Sequence, residues 1–438
     1  MKHFRLISVL FPLALLCCTS CGAQSDIVSD TQLTESDFTG NPETTASVTA
    51  PPDAWAVNTG TSTPTAAESV SEISDANLSE SMPETTFPAA NTVQAVFQGI
   101  SDSSTIDKSN LAALTYRFHE NGQAQIYRLA TGASQDYAIQ NMLKKGYHYD
   151  IALDGDTITA VREIEAAQFD YTPPVSGTPG KQTLCNFLKL AMEPVGTALY
   201  VYGGGWNWED TGASIHTRSI GISPDWVRFF RENDTSYTFR DYFPSSGINE
   251  YYYAGLDCSG YVGWTVYNVF HTQEGSEGYV GKATEMAKRF AGYGWGEWTQ
   301  NVPIPDGTAG TAMLPGDIMS MNNHVWISLG TCADGSIVIA HSTRSNSYAG
   351  QPGGGVQIAA IGYTTKCEAY QLATKYTNTY FPDWRARYPV SLERPGRYLT
   401  VDTETAGRFR WNHETLADPD GIGTMSAADA LKLIFGEA

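Results

Sequence analysis

Positive charge is scarce in this chain of 438 residues: 27 Lys and Arg face 47 Asp and Glu, for a formal net charge of −20. So acidic a surface repels nucleic acid and anionic bilayers, which excludes nucleic-acid binding as a function class. No apolar run is long enough to make a permanent membrane-spanning helix. No internal repeat is evident, which excludes solenoid and propeller arrays. Cysteine is sparse, with seven in all. What is present is 42% hydrophobic and 12% aromatic residues, enough for a sizeable core and two or three domains.

The N-terminus reads as an export signal over residues 1–21. Lys2 and Arg5 precede an apolar stretch from Leu6 to Leu16, and small residues follow. The end of this segment, "CTSC", resembles a bacterial lipoprotein signal in which Cys21 carries the lipid, with Cys18 where leucine is usual. A plain secretory signal cleaved nearby is the alternative. Residues 22–91 hold eleven acidic residues and no Lys or Arg, among Ser, Thr, Ala and Pro. Such a composition cannot bury enough apolar surface to fold, so it reads as an extended tether. A lipid on Cys21 would hold the protein to the cell membrane from its outer side. Export permits disulfides, and Cys332 with Cys367 is a candidate pair. Cys185 lies near an apolar helical stripe and reads as a small buried residue.

Residues 92–172 carry β-branched and aromatic residues in partial alternation, which predicts a small all-β barrel or sandwich. A hairpin is expected to turn at Asp154-Gly155. "TPPVSGTPG", Thr172 to Gly180, marks a boundary. A second domain then spans 181–438 and opens on a helix carrying Leu184, Phe187, Leu188, Ala191 and Val195. Near the end, Asp418, Asp420 and Gly421 suggest a calcium loop. The spacing fails, because Ala427 stands where the bidentate acid belongs. Ser426 and Asp429 read instead as a helix N-cap.

The chemistry centres on "LDCSGYVGW", Leu256 to Trp264. Cys258, Tyr261, Val262, Thr265, Val266 and Val269 recur at helical steps, which puts Cys258 at a helix start. There the backbone N–H groups and the helix dipole are expected to lower the thiol pKa and favour a nucleophile over an inert thiol. Such a nucleophile needs a base. His324 opens a strand after one at Ile318–Met321, and His341 ends another after a turn at Asp334-Gly335. Adjacent antiparallel strands would bring the two rings together, His324 as base and His341 as its orienting partner. No two of Cys258, His324 and His341 stand at close metal-ligand spacing, so neither metal nor cofactor is expected. Asp317 reads as a turn cap, and His216 has no assignable role.

"DCSG" before an apolar helix, then "PGDIMSMNNHVWISLG" and "VIAHS", together with the upstream "GTALYVYGGG", resemble the NlpC family of papain-like cell-wall cysteine endopeptidases. The resemblance implies an α+β fold, with the helix bearing the nucleophile packed on an antiparallel sheet. It implies cleavage of peptidoglycan stem peptides, commonly between D-γ-glutamate and a diamino acid. It assigns Cys258 as nucleophile, His324 as base and His341 as the orienting residue. Tyr200 would line the site near the oxyanion, and Asp257 and Ser259 would hold the free amino end of the peptide. The chain departs from the family by about fifty residues at 206–255, between the double glycine and "DCSG". Rich in Trp and Tyr, this insert reads as a lid or groove wall, with packing on the exterior as the alternative. The expected protein is therefore an exported, lipid-anchored cysteine peptidase. An amidase or acyl-transfer enzyme with the same site, and a catalytically silent cell-wall-binding lipoprotein, are the alternatives.

Overall fold

The computed structural model describes Phe87 and residues 91–100, 110–130, 133–164, 171–242, 250–275, 277–300, 302, 312–346, 351–352, 354–401 and 403–437. The expected export signal, Cys21 and nearly all of the tether lie outside these residues. Among the described residues no helix is long and apolar enough to cross a membrane.

The first folded part is a closed barrel of β1 (Thr92–Ile100), β2 (Tyr116–Glu120), β3 (Gln123–Leu129), β4 (His148–Asp154) and β5 (Thr157–Glu163). Alternation aims Phe97, Tyr116, Phe118, Tyr149, Ile151 and Ile158 inward, where all are buried. Strand β4 pairs with β5 and with β1, both antiparallel, while β3 and β5 pair in parallel. The expectation of an all-β domain needs correction. A helix, α1 (Ala133–Met142), links β3 to β4 and buries Ile139 in the barrel core. A parallel pair cannot be joined by a tight turn, and here α1 and β4 make the crossover.

The larger part is built on a seven-stranded sheet in the order β13 (Leu392–Glu393), β12 (Val356–Ile361), β9 (Ile337–Ser342), β8 (His324–Thr331), β7 (Ile318–Met321), β14 (Gly407–Trp411), β6 (Gly296–Thr299). Every pairing is antiparallel except β12 with β13. A short hairpin, β10 (Ser345–Asn346) with β11 (Gln351–Pro352), lies between β9 and β12. The central strands are buried end to end, so they read as apolar runs rather than alternations. Three helices flank the sheet: α2 (Leu184–Met192), α4 (Cys258–Phe270) and α9 (Ala427–Phe435). Two others, α5 (Met286–Gly292) and α6 (Glu368–Tyr380), pack on the same face, near β14 and β12 respectively. Short helices α7 (Pro382–Arg387) and α8 (Pro395–Tyr398) complete the C-terminal region. The second core takes in Val175, so it begins ahead of residue 181.

The insert is neither a simple lid nor an external appendage. Its helix α3 (Pro224–Glu232) sends Trp226 and Phe230 into the sheet core, while Trp208, Tyr252 and Tyr253 complete the barrel core. It is a wedge whose apolar residues serve both. Buried polar groups pin the junction. Lys144 Nζ lies 2.7 Å from Glu163 and 3.0 Å from Asp225, and Tyr147 donates to Asp225 at 2.6 Å. Glu250, at the end of the insert, accepts the Ile100 N–H at 2.6 Å, and its carboxylate lies where a Cβ of Gly99 (φ +105°) would fall. Only glycine permits that approach.

Cys332 and Cys367 are both free thiols, so the candidate disulfide is not formed. Cys185 is a buried core residue. Asp418 caps the turn ahead of α9 by accepting the N–H groups of Ile422 and Gly423, both at 2.9 Å, and Ser426 caps α9 itself.

Candidate active site

Helix α4 starts at Cys258 because Asp257 caps it. The Asp257 Oδ1 accepts the Gly260 N–H at 2.7 Å and the Ser259 hydroxyl at 2.8 Å. Residues Cys258 to Val269 are all buried, as expected for a helix apolar on every side. The double-glycine segment lies against this first turn. Asp257 donates its N–H to the Gly204 carbonyl at 3.0 Å, and a Cβ on Gly260 would run into that same carbonyl oxygen. The two ends of the insert thus meet at the nucleophile, despite the fifty residues between them.

Strands β8 and β9 supply the histidines. Residue Asn323 (φ +57°) makes the turn from β7, and His324 follows it. His324 Nε2 lies 3.1 Å from His341 Nδ1, with ring centroids 5.2 Å apart. This contact leaves His324 Nδ1 as the nitrogen that can face a reacting group. His341 is fully buried, and its Nε2 has no hydrogen-bond partner among the described residues. The Val325 N–H, next to His324, points to the Cys258 sulfur and joins helix start to strand start.

The electrostatics correct one expectation. The Cys258 thiol is pushed well above its usual range, first by burial and then by the neighbouring Asp257 charge. The N–H groups of Val325, Ser259 and Cys258 oppose this without overcoming it. A helix start lowers a thiol pKa only where desolvation is smaller than the dipole's contribution, and Cys258 is 7% exposed. Burial pushes His324 down to about 3, and Arg397 and Arg344 push in the same direction. His341 is also held well below its usual range by burial and by His324. The resting site therefore holds a neutral thiol and neutral imidazoles. Burial raises Asp257 to about 6 against its hydrogen bonds.

Tyr200 is buried, with Cys258 and Asp257 as electrostatic neighbours, whereas Tyr202 is 46% exposed. Tyr200 meets Phe239 of the insert edge-on at 5.8 Å. Ser259 accepts the Trp206 indole N–H at 2.9 Å, so the start of the insert touches the residue after the nucleophile. Sequence reasoning missed Tyr398, whose ring packs edge-on against His324 at 5.4 Å and His341 at 5.9 Å. It also missed Arg344 and Arg397. Nothing local in "RPGRYLT" or "STRS" marks them as neighbours of the histidines.

Asp317 lies apart from this chemistry. It accepts the Leu314 N–H at 2.8 Å and pairs with Arg410 at 2.6 Å, tying the turn before β7 to β14. His216 packs its ring against Tyr252 and Tyr253 in the wedge. Among the described residues one group has metal-ligand geometry: Cys332, Asp334 and Glu368. Both carboxylates are engaged, Asp334 with the Glu368 N–H at 2.8 Å and Glu368 with the Ala333 N–H at 3.0 Å. They tie the turn after β8 to the start of α6. No family model, curated protein or solved structure matches the chain.

Proposed function

We propose that this protein is a cysteine peptidase of the NlpC type, acting outside the cytoplasm on peptidoglycan stem peptides and tethered by a lipid on Cys21. The observation that carries the reading is the 3.1 Å contact of His324 with His341, on two strand ends beside the helix start that bears Cys258. In the reaction, His324 Nε2–H donates to His341 Nδ1, and His324 Nδ1 takes the thiol proton. The thiolate attacks the scissile carbonyl, and the Cys258 N–H helps to hold the oxyanion. The tetrahedral species collapses, and the amine leaves with the proton from His324. Water, deprotonated by His324, then cleaves the thioester and releases the new carboxyl end. Tyr200 lines the oxyanion side. Asp257 and Ser259 hold the free amino end of the peptide, and the bond between D-γ-glutamate and a diamino acid is the favoured target.

One observation favours a second reading. The buried, protonated thiol also suits a silent, wall-binding lipoprotein. The full chain in detergent, incubated with muropeptides of defined composition, separates the two by mass spectrometry. Two new fragments, lost in Cys258→Ala, support the peptidase. A new amide product would move the reading to acyl transfer. No Cys258-dependent product from any of these muropeptides would overturn the catalytic reading.

A further inference from the structure

A cleft of about 290 Å³ opens where the barrel meets the insert, and none of the residues proposed for catalysis lines it. Its size falls at the small end of the range for small-molecule sites. Phe229, Tyr242 and Tyr251 form a half-exposed aromatic wall. Tyr242 meets the other two rings edge-on, at 5.0 Å and 4.9 Å. Arg228, Glu232 and Asn233 bring planar polar groups to the same cleft. The charges there are already balanced. Lys145 lies 3.1 Å from Glu250, Arg228 2.7 Å from Glu232, and Asp225 3.0 Å from Lys144. Two of these cations also sit over ring faces, Lys145 over Tyr251 at 5.4 Å and Arg228 over Tyr147 at 4.6 Å. A cationic ligand would meet rings that the protein's own cations occupy, and an anionic one would have to break an ion pair. The chemistry that suits the cleft is a neutral ligand with apolar faces and hydroxyl edges.

Resting on the proposed peptidase reading, we infer that this cleft binds the glycan of the polymer whose stem peptide is cleaved, as a neutral oligosaccharide of N-acetylated sugars. A sugar ring presents C–H groups on its faces and hydroxyls at its edges. Aromatic rings cover the first, and they lose little conformational freedom in doing so. Arg228 donates, Glu232 accepts and Asn233 does both, which matches hydroxyls that also do both. Continuity with the active site favours wall glycan over other polysaccharides. Tyr242 packs on Tyr237 at 5.3 Å, and the Tyr237 hydroxyl donates to the Tyr200 carbonyl. The insert thus lines the cleft and also reaches the wall of the Cys258 site. One polymer is then held by its sugars at the first and by its peptide at the second, so the cleft raises the local concentration of peptide for the chemistry.

The test uses the full chain in detergent. Chitohexaose, a peptide-free oligomer of N-acetylglucosamine, should bind in calorimetry with an affinity that salt leaves unchanged, because no net charge is recognised. Tyr242→Ala and Glu232→Ala should each weaken it about tenfold, the scale of one buried aromatic face or one charge-assisted hydrogen bond. Glu232 is exposed and its pair with Arg228 contributes little to stability, so that variant keeps the fold. A muropeptide carrying its disaccharide should be cleaved with a kcat/KM about tenfold above that of the bare stem peptide, and Tyr242→Ala should bring the two together. No binding of chitohexaose, binding that falls steeply with salt, unchanged affinity in both variants, or preference for cellohexaose would overturn the inference and leave the peptidase reading intact. Binding without Cys258-dependent cleavage of any muropeptide would support the cleft while that reading fails.

Discussion

Acid should weaken this fold through His324, and the size of the effect can be worked out. The folded ring titrates at about 3, and the unfolded ring at its ordinary 6.5. Between those values the unfolded chain binds a proton that the folded chain refuses, so stability falls as pH falls through the window. The contribution is fully present above pH 6.5. Each pH unit is worth about 1.36 kcal/mol, so going from pH 6.5 to 4.5 costs about 2.7 kcal/mol. His324 is half-buried as a residue, and discounting for screening lowers the expectation to about 2 kcal/mol.

Other groups titrate in the opposite sense. Burial raises Glu193 to about 7 and Asp257 to about 6, so each takes up its proton first in the folded state. Their stabilising contribution appears as pH falls through those values and is lost as it rises. The wild type alone is therefore uninformative, and a difference is needed. His324→Gln removes the titrating ring while its amide still donates to His341 Nδ1. Urea unfolding of both proteins at pH 7 and 4.5 gives the comparison. The variant should gain about 2 kcal/mol relative to wild type on going to pH 4.5. A difference that stays the same at both pH values would refute the claim that the folded site keeps His324 neutral.

Three further outcomes follow from the geometry. Lys144→Met leaves Asp225 and Glu163 buried without their cation and should cost about 3–5 kcal/mol in denaturant unfolding; under about 1 kcal/mol would mean that this cluster does not hold the wedge. His341→Ala should lower kcat of the proposed hydrolysis about a hundredfold with KM nearly unchanged, and an unaltered kcat would remove His341 from the machinery. Without substrate, Cys258 should react with iodoacetamide far more slowly at pH 7 than an exposed thiol, and a rate equal to free cysteine would contradict the buried, protonated state.

The parts of this site written in short segments were legible beforehand. Helix α4 follows from an Asp cap and an apolar run. Strands β7, β8 and β9 follow from short, largely apolar runs cut by Asn323 and Gly335, which adopt positive φ at the turns. Pairing of β8 with β9 then brings two strand ends, and two histidines, to one place. The barrel hairpin turns at Gly155 for the same local reason. What was not legible depends on contacts between distant segments. Helix α1 has a weak apolar stripe and forms because Ile139 finds the barrel core. The insert divides its aromatics between two cores, and no window of its sequence says which residue goes where. Tyr398 lies more than fifty residues from either histidine and reaches them only because β13 and α8 return to the sheet edge. The thiol pKa departs from the sequence expectation for a related reason: the helix start is local, whereas the burial that outweighs it comes from distant segments, among them the glycine segment and β8.

That burial bears on how the proposed reaction could begin. Three charges oppose formation of the thiolate–imidazolium pair in specific ways. Asp257 raises the thiol, and the cations Arg397 and Arg344 lower His324. In the proposed reaction, a substrate ammonium beside Asp257 would offset the negative charge facing Cys258 and ease the thiol's loss of a proton. Formation of the ion pair would then be coupled to substrate binding rather than to a moving lid.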